Sequence, residues 1–394
     1  MGKMPDRVYL DWNATAPLRP EARAAMDAAL DCIGNPSSVH GEGRAARRMI
    51  ENAREKVAAL VGASLSQVTF TSGGTEANML ALAPAIDTSD HKGSRDWLLI
   101  SAIEHTSVRT GGRFPRDAVE EIAATPQGQV DLADLERRIA ALTGKGRRVL
   151  VSIMLANNET GVIQPISAAA SIVHAAGGFL HVDAVQGAGR IPCDINVLGA
   201  DLLTLSAHKI GGPKGAGALA RRDQGLHVAP LVTGGGQERG LRAGTENVAA
   251  IAGFGEAAAA ATRALQNDGV RMQALRQRLE SGIRAVSSEA IIFGAKADRV
   301  PNTTLFAMPG VKAETAVIAF DLEGIAVSSG AACSSGKVQA SHVLAAMGVS
   351  PDLAGAGLRV SLGWSTTEAD IDRFLTAWIT VSRALLKGTR VIAA

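Results

Sequence analysis

The chain has 394 residues, and its 40 lysines and arginines against 38 aspartates and glutamates leave a formal net charge of +2. This length is enough for two packed domains, and a charge so close to zero provides no field that would favour a nucleic-acid or membrane partner. Residues 1–7 lack the apolar core of a signal peptide, and the alanine-rich run at 249–261 is too short to cross a bilayer. We therefore expect a soluble, cytoplasmic protein.

The first part of the chain alternates helical patterns with apolar runs. The spacing of apolar residues predicts helices over 20–30 and 43–61. Five apolar runs typical of buried strands follow, at residues 68–70, 97–103, 149–155, 179–182 and 202–205. Because segments of about twenty to forty residues separate these runs, as in the crossover units of a parallel sheet, the sequence predicts a doubly wound α/β domain.

The pattern changes after residue 220. A Gly-rich polar loop at 234–247 precedes predicted helices over 247–265, 270–286, 314–322 and 368–386 and predicted strands near 291–293, 303–307, 325–328 and 358–362. Strands and helices in this order are typical of a smaller α+β domain. We predict a large domain of residues 14–260 and a small domain formed by residues 1–13 and 261–394.

Cysteine is rare in this sequence. Cys32, Cys193 and Cys333 are widely separated, and no two of them form a CxxC pair. Three scattered cysteines are too few for a disulfide framework or a structural zinc site, so we predict no metal site. Cys333 lies among small residues, which suits a nucleophile that must travel, whereas Cys32 and Cys193 are interpreted as structural.

A turn between a predicted strand and a predicted helix, at residues 71–78, has the chemistry of an anion site. Free backbone N–H groups at Gly74 and the hydroxyl of Thr75 would face an anion at the positive end of the helix dipole. An ordinary helix N-cap is the alternative interpretation. Three small residues before the threonine favour a phosphate.

Two further strands end in polar groups that together suit pyridoxal phosphate. Lys209 would form the covalent link to the cofactor aldehyde, and Asp183 would keep the pyridinium nitrogen protonated. The Ser206 hydroxyl and the His208 imidazole would hold the phosphate. The alternative is a solvated lysine in a Gly-Pro turn.

Other candidates lie at strand ends or within strands. His105 could lie flat on a planar cofactor or transfer a proton, or be a structural histidine. Asn158 could orient a substrate or build a turn. Arg359 lies within a predicted strand, where an unpaired guanidinium is expensive to bury, so we expect a carboxylate partner from the protein or the substrate.

Taken in order, these segments carry a family likeness. They are YLDWNAT at 9–15, NPSSVH at 35–40, TSGGTE at 71–76, NNETG at 157–161, HVDAVQ at 181–186, HK at 208–209, RAGTEN at 242–247 and SGAAC at 329–333. Together they resemble the cysteine desulfurases of the NifS/IscS type, within the class V aminotransferase group of fold-type I pyridoxal-phosphate enzymes. The resemblance spans about residues 8 to 370.

The resemblance implies a role for each of these positions. Lys209 would carry pyridoxal 5'-phosphate, Asp183 would pair with its ring nitrogen, Gln186 would contact its ring hydroxyl, and His105 would stack on the ring. The phosphate would be held by Gly74, Thr75, Ser206 and His208, with Thr245 reaching it from the partner subunit of a homodimer. Asn158 and Arg359 would bind the carboxylate of L-cysteine. Cys333 would accept the sulfur, and Lys209, Cys333 and His105 would be the catalytic groups.

The implied activity is conversion of L-cysteine to L-alanine, with sulfur passed through a Cys333 persulfide to an acceptor or iron-sulfur scaffold protein. Ala331, residues 337–340 and Trp364 depart from the usual family pattern, and the first two affect the region that would meet that acceptor. The alternatives are a selenocysteine lyase or another β-eliminating enzyme on this scaffold, or a non-catalytic protein that docks partners.

Overall fold

The computed structural model describes residues 7–87, 95–330 and 341–392. Its strands are β1 Val8–Tyr9, β2 Val68–Thr71, β3 Ile86–Asp87, β4 Trp97–Ser101, β5 Val119–Ile122, β6 Val149–Met154, β7 Phe179–Asp183, β8 Leu202–Ser206, β9 Gly217–Arg221, β10 His227–Val228, β11 Ile291–Ile292, β12 Thr303–Ala307, β13 Ile325–Ala326, β14 Ser328–Ser329 and β15 Leu358–Ser361. Its α-helices are α1 Pro20–Leu30, α2 Gly41–Leu60, α3 Gly74–Ala81, α4 Thr106–Arg109, α5 Leu132–Thr143, α6 Ile166–Ala175, α7 Ile195–Leu198, α8 Val248–Val286, α9 Ala313–Leu322, α10 His342–Ala346, α11 Pro351–Ala354 and α12 Glu368–Ile392.

Seven strands form the central sheet, in the order β2-β9-β8-β7-β6-β4-β5. The five strands from β8 to β5 pair in parallel, whereas β9 runs antiparallel to both of its neighbours. The predicted α/β class with a mostly parallel, doubly wound sheet is therefore confirmed. Strands β2, β6, β8 and β9 are buried along their whole length, which for β2, β6 and β8 agrees with the apolar runs in the sequence.

The parallel arrangement brings the ends of separate strands to one edge of the sheet. Met154 at the end of β6 is paired with Asp183 at the end of β7, and Asp183 is paired in turn with Thr204 near the end of β8. A 3₁₀ turn, Ala207–Lys209, follows β8 at the same edge. Ligands of open α/β sheets bind at this edge, so Asp183 and Lys209 lie where a ligand is expected.

A second sheet lies in the C-terminal part of the chain. Its strand order is β11-β12-β15-β14, with antiparallel pairing throughout. The N-terminal strand β1 pairs with β13, and both contribute to a separate apolar core that includes Leu10, Phe320 and Trp378. The division into a large domain of residues 14–260 and a small domain of residues 1–13 and 261–394 stays a prediction.

The predicted boundary at residue 260 falls inside α8, and this helix differs from the sequence prediction. Two helices were expected, with a break near Gly269, but α8 is a single helix of 39 residues. It packs against α1 and α2 and, elsewhere, against α12. A glycine in a helix interior lowers helix stability by only about 1 kcal/mol relative to alanine. The packing of α8 against α1, α2 and α12 outweighs this cost at Gly269.

Among the helices of the described residues, α8 is long and apolar enough to cross a membrane, but half of its most apolar 18-residue segment is buried inside the protein. It is therefore explained by core packing. Phe254, for example, is fully buried in the core of the large domain.

Candidate active site

A cavity of about 240 Å³ opens at the edge of the sheet where β6, β7 and β8 end. Nine of the residues predicted to form a site line it: Gly74, Thr75, His105, Asn158, Asp183, Gln186, Ser206, His208 and Lys209. They come from five separate segments of the chain, and the fold brings them together. The predicted residues Arg359 and Thr245 are not part of its lining.

Lys209 ends the 3₁₀ turn after β8, and its amine points toward the segment that follows β1. Its Nζ donates hydrogen bonds to the carbonyl oxygens of Asn13, at 2.6 Å, and Ala14, at 2.9 Å. Burial lowers the pKa of the Lys209 ammonium to about 7, and the nearby cations Arg359 and Arg190 contribute to that shift. A lysine with this pKa exists partly as the neutral amine at neutral pH, which is the form that acts as nucleophile or base.

Asp183 terminates β7 with its carboxylate held by hydrogen-bond donors. Its Oδ2 accepts a bond of 2.8 Å from Nδ2 of Asn78, and its Oδ1 accepts a bond of 3.0 Å from the backbone N–H of Val185. Both carboxylate oxygens thus have a donor, and these bonds fix the orientation of the Asp183 carboxylate at the cavity.

The opposite rim of the cavity is rich in hydrogen-bond donors. Gly74 and Thr75 form the first turn of α3, where backbone N–H groups are not used by the helix itself. A Cβ at Gly74 would lie 3.1 Å from a methyl group of Val185, so a larger residue there would require Val185 to shift. Burial lowers the pKa of His208 to about 4, with Lys209 adding to the effect, so this imidazole is neutral.

Arg359 lies beside the cavity on β15 and finds its carboxylate within the protein. Its Nη2 donates to Asp11 at 2.8 Å, and its Nη1 donates to the carbonyl oxygen of Asn158 at 3.0 Å. Its Nε is buried and has no hydrogen-bond partner among the described residues. Asp11 and Asn158 thus use two of the five N–H donors of the guanidinium.

Arg190 is a second buried cation, and no pattern in the sequence indicated its importance. It donates to the side-chain oxygen and to the carbonyl of Gln186, and burial lowers the pKa of its guanidinium to about 9. Gln186 in turn donates from Nε2 to the Asn13 carbonyl at 3.0 Å, the same oxygen that Lys209 contacts. Arg190 therefore fixes the orientation of Gln186 next to the lysine.

Thr245 lines a separate cavity of about 210 Å³ together with residues of the Gly-rich loop. That loop is anchored by Glu238, which forms an ion pair with Arg54 in which both side chains are almost fully buried. Glu238 and Arg239 adopt positive φ angles of 48° and 57°, a conformation that is strained for residues other than glycine. The ion pair supports this conformation and with it the position of Thr245.

Cys333 lies outside the described residues, so the structure provides no geometry for it. Cys193 is buried, and burial raises the pKa of its thiol to about 12, which agrees with a structural role. Among the described residues, no cluster of three or more histidine, cysteine, aspartate or glutamate side chains is arranged to hold a metal ion.

Sequence reasoning missed several residues that contact the predicted ones. Asp11, Asn13, Asn78, Ser107 and Arg190 all belong to this set. Asp11 and Asn13 lie in a polar segment after β1, and Asn78 lies on the buried side of α3, which could have drawn attention to them. The partners of Asp11, Asn13 and Asn78 are distant in the sequence, whereas Ser107 and Arg190 lie only two and four residues from His105 and Gln186.

Comparisons with known proteins agree with this arrangement. The model of the family described as aminotransferase class-V matches residues 8–374. A cysteine desulfurase from Cereibacter sphaeroides is 44% identical over 373 residues, which covers 94% of each chain. The cysteine desulfurase IscS of Dictyoglomus turgidum is 40% identical, covering 94% of this chain and 93% of its own. Among solved structures, a NifS-like protein from Rickettsia africae superposes with a TM-score of 0.85 at 37% identity, covering 96% of this chain and 99% of that one.

Proposed function

The chain belongs to the class-V aminotransferase family, and from this premise we propose that it is a cysteine desulfurase that uses pyridoxal 5'-phosphate. The reaction converts L-cysteine to L-alanine and leaves the sulfur on Cys333 as a persulfide. One observation carries the proposal. The Lys209 amine, with a pKa of about 7, and the Asp183 carboxylate line a single cavity whose rim is formed by hydrogen-bond donors.

The residues of the cavity fit pyridoxal phosphate in their chemistry. Lys209 would carry the cofactor, Asp183 would face its ring nitrogen, and Gln186 would face its ring hydroxyl. The phosphate would be held by the donors of Gly74, Thr75, Ser206 and His208, with His105 against the ring. When bound, the cofactor supplies an electron-withdrawing ring that stabilises negative charge at the substrate α-carbon.

The protein's own groups perform the remaining tasks. Lys209 in its neutral form accepts the α-proton of the substrate, because its lowered pKa leaves a free amine at neutral pH. Arg359 binds the substrate carboxylate with its guanidinium, which its contact with Asp11 holds in place. Asn158 lines the cavity beside Arg359 and completes the carboxylate site.

Sulfur transfer balances without an external oxidant or reductant. The Cys333 thiolate attacks the sulfur of the substrate, and the S–S bond of the persulfide forms as the C–S bond breaks. The electrons of that bond remain on the carbon, which takes up a proton and becomes the methyl group of alanine. The persulfide then serves a sulfur-acceptor or iron-sulfur scaffold protein.

We further propose that the enzyme is a cytoplasmic homodimer. Thr245 lines a different cavity from the other cofactor residues, so within one chain it does not join them. It would serve the cofactor site of a second copy of the chain.

An assay of alanine formation from L-cysteine tests the proposed function. We expect alanine and a persulfide on Cys333 in equal amounts during the first turnover in the absence of an acceptor thiol. Cys333→Ala is the matched variant, and it should bind the cofactor and L-cysteine yet form no persulfide. Alanine formation by Cys333→Ala at the wild-type rate would remove Cys333 from the reaction, and no alanine from the wild type would refute the function.

A further inference from the structure

The two ring nitrogens of His105 lie in different surroundings, and Nδ1 has two partners within the protein. Nδ1 accepts a hydrogen bond of 3.2 Å from the backbone N–H of Ser107, since His105 is the N-cap of α4. The Ser107 hydroxyl lies 2.8 Å from the same nitrogen. The ring is exposed to the cavity that it lines.

A backbone N–H can only donate, so its bond to Nδ1 requires a lone pair on that nitrogen. In a neutral imidazole the proton must then be on Nε2. The short helix α4 therefore cannot be capped by the other tautomer of His105, in which Nδ1 carries the proton.

The hydroxyl of Ser107 is oriented by Asn78. Nδ2 of Asn78 donates to Oγ of Ser107 at 2.9 Å and to Oδ2 of Asp183 at 2.8 Å. Reversing this amide would place its oxygen against the Asp183 carboxylate, which only accepts hydrogen bonds, so the nitrogen must face these partners. Because Ser107 accepts from Asn78, its own proton is free to be donated to Nδ1 of His105.

We propose that Asn78 and Ser107 are positioning residues that hold His105 in the neutral tautomer protonated on Nε2, so that it faces bound substrate as a hydrogen-bond donor. This inference rests on the proposed function for the identity of the substrate. The electron-rich atom that such a donor suits is the sulfur of bound cysteine, whose developing charge a fixed donor in a partly dry cavity stabilises.

The tautomer also determines what His105 does not do. Nε2 already carries a proton and Nδ1 is covered by two donors, so the neutral ring does not act as the general base. That task falls to Lys209, whose pKa of about 7 suits it. Neutral imidazoles that act as donors occur in other active sites, where a lowered pKa serves the same purpose.

The charges around His105 are consistent with a neutral ring. Burial lowers the pKa of His105, Asp183 opposes that effect, and the Lys209 cation adds to it. The buried neighbour Glu104 has its pKa raised well above the usual value by burial and then by Asp183. On the side of α10, His342 has a pKa lowered by burial, and its Nε2 lies 2.9 Å from the Glu104 carbonyl oxygen.

Nuclear magnetic resonance of protein labelled with ¹⁵N-histidine tests the tautomer directly. The full chain is measured with and without pyridoxal phosphate at neutral pH, and the His105 signals are identified by their loss in His105→Gln. We expect the coupling pattern of an imidazole protonated on Nε2. A pattern with the proton on Nδ1, or on both nitrogens, would overturn the proposal.

Two variants test the positioning roles. Ser107→Ala removes one of the donors to Nδ1, so the pKa of His105 should rise and a fraction of the other tautomer should appear, whereas Ser107→Thr keeps a hydroxyl and should restore the wild-type pattern. Asn78→Ala should act in the same direction. We expect kcat/KM with cysteine to fall about three- to tenfold in Ser107→Ala, the effect of one hydrogen bond. An unchanged titration of His105 in Ser107→Ala and Asn78→Ala would contradict the positioning roles.

The two proposals fail in distinguishable ways. If the protein makes no alanine from cysteine but His105 shows the expected tautomer, the proposed function is wrong and the positioning network stands. If alanine is formed while His105 is protonated on Nδ1, the function stands and the network is wrong.

Discussion

The two ends of the cavity treat their charged groups in opposite ways. At one end Lys209 is buried and lies near the cations Arg359 and Arg190, and the pKa of its ammonium falls to about 7. At the other end Asp183 receives hydrogen bonds from Asn78 and Val185. Burial is the largest cause of the lowered pKa of Lys209, and the two cations add to it. The surroundings of Asp183 differ, because both of its carboxylate oxygens have a hydrogen-bond donor.

The largest effect should come from removing the amine. Lys209→Ala should lower turnover of cysteine by at least about 10³-fold, because both the cofactor link and the general base are lost. Lys214→Ala is the matched control, since Lys214 is an exposed lysine of the same loop. Steady-state alanine formation measures both variants. Comparable activity of the Lys209→Ala and Lys214→Ala variants would show that the reaction does not depend on the Lys209 amine.

The carboxylate end is tested by Asp183→Asn, which keeps the shape and removes the charge. We expect turnover to fall on the order of 10²-fold, since a fixed charge facing the reacting group is lost. The KM for cysteine should change little, because Arg359 and Asn158 bind the carboxylate. Asp194→Asn, at the N-cap of α7, provides the control. A turnover of Asp183→Asn within about twofold of the wild type would be evidence against a role for the charge.

Arg190 should affect the reaction through the pKa of Lys209. Arg190→Met removes a like charge, so the pKa of Lys209 should rise and less free amine should be present below about pH 7. We expect about a two- to fivefold loss of activity at mildly acidic pH that is recovered at alkaline pH. Arg190→Lys keeps the charge and should leave the pH profile near that of the wild type. A uniform loss across all pH values would indicate a structural effect alone.

The smallest effect concerns stability without the cofactor. The pKa of Lys209 is about 7 in the folded chain and 10.5 for an unperturbed lysine, so between these values the unfolded chain binds a proton that the folded chain does not. Lys209 therefore lowers the free energy of unfolding below pH 10.5, and this effect grows as the pH falls towards about 7. Lys209→Met should therefore stabilise the cofactor-free protein at neutral pH, by about 1–2 kcal/mol after allowance for solvent screening. Thermal unfolding at neutral and strongly alkaline pH checks this, and the gain should disappear at the alkaline end. A Tm equal to or below that of wild type at neutral pH would contradict it.

Much of the fold follows from local patterns in the sequence. The five apolar runs form β2, β4, β6, β7 and β8. A strand that is buried on both faces consists mainly of apolar residues, so it can be identified from its own sequence without knowing which strands pair with it. Helix α1 begins and ends at the predicted residues, where a proline at its first position marks the start. Strands β5 and β9 were not predicted. β5 has a mixed polar sequence at the sheet edge, and β9 lies in a Gly-Ala run with weak β-propensity.

The site could be predicted as a set of residue types but not as a network. Polar residues at strand ends identified Asp183, Lys209 and His105, because parallel strands bring their ends together. The contact of Arg359 with Asp11 joins residues 348 positions apart, and no local pattern indicates such a pair. The same holds for Asn78, whose bond to Asp183 spans 105 positions. These contacts depend on how the helices pack over the sheet edge.

The amine of Lys209 is expected to carry the cofactor, and every other assignment in the site depends on this one. Borohydride reduction of the purified protein in the presence of pyridoxal phosphate, followed by peptide mass mapping, tests it most directly. We expect the reduced pyridoxyl group on the peptide that contains Lys209, in an amount close to one per chain, and none on that peptide in Lys209→Ala. A label located on another lysine, or no label on a protein that binds the cofactor, would contradict this assignment.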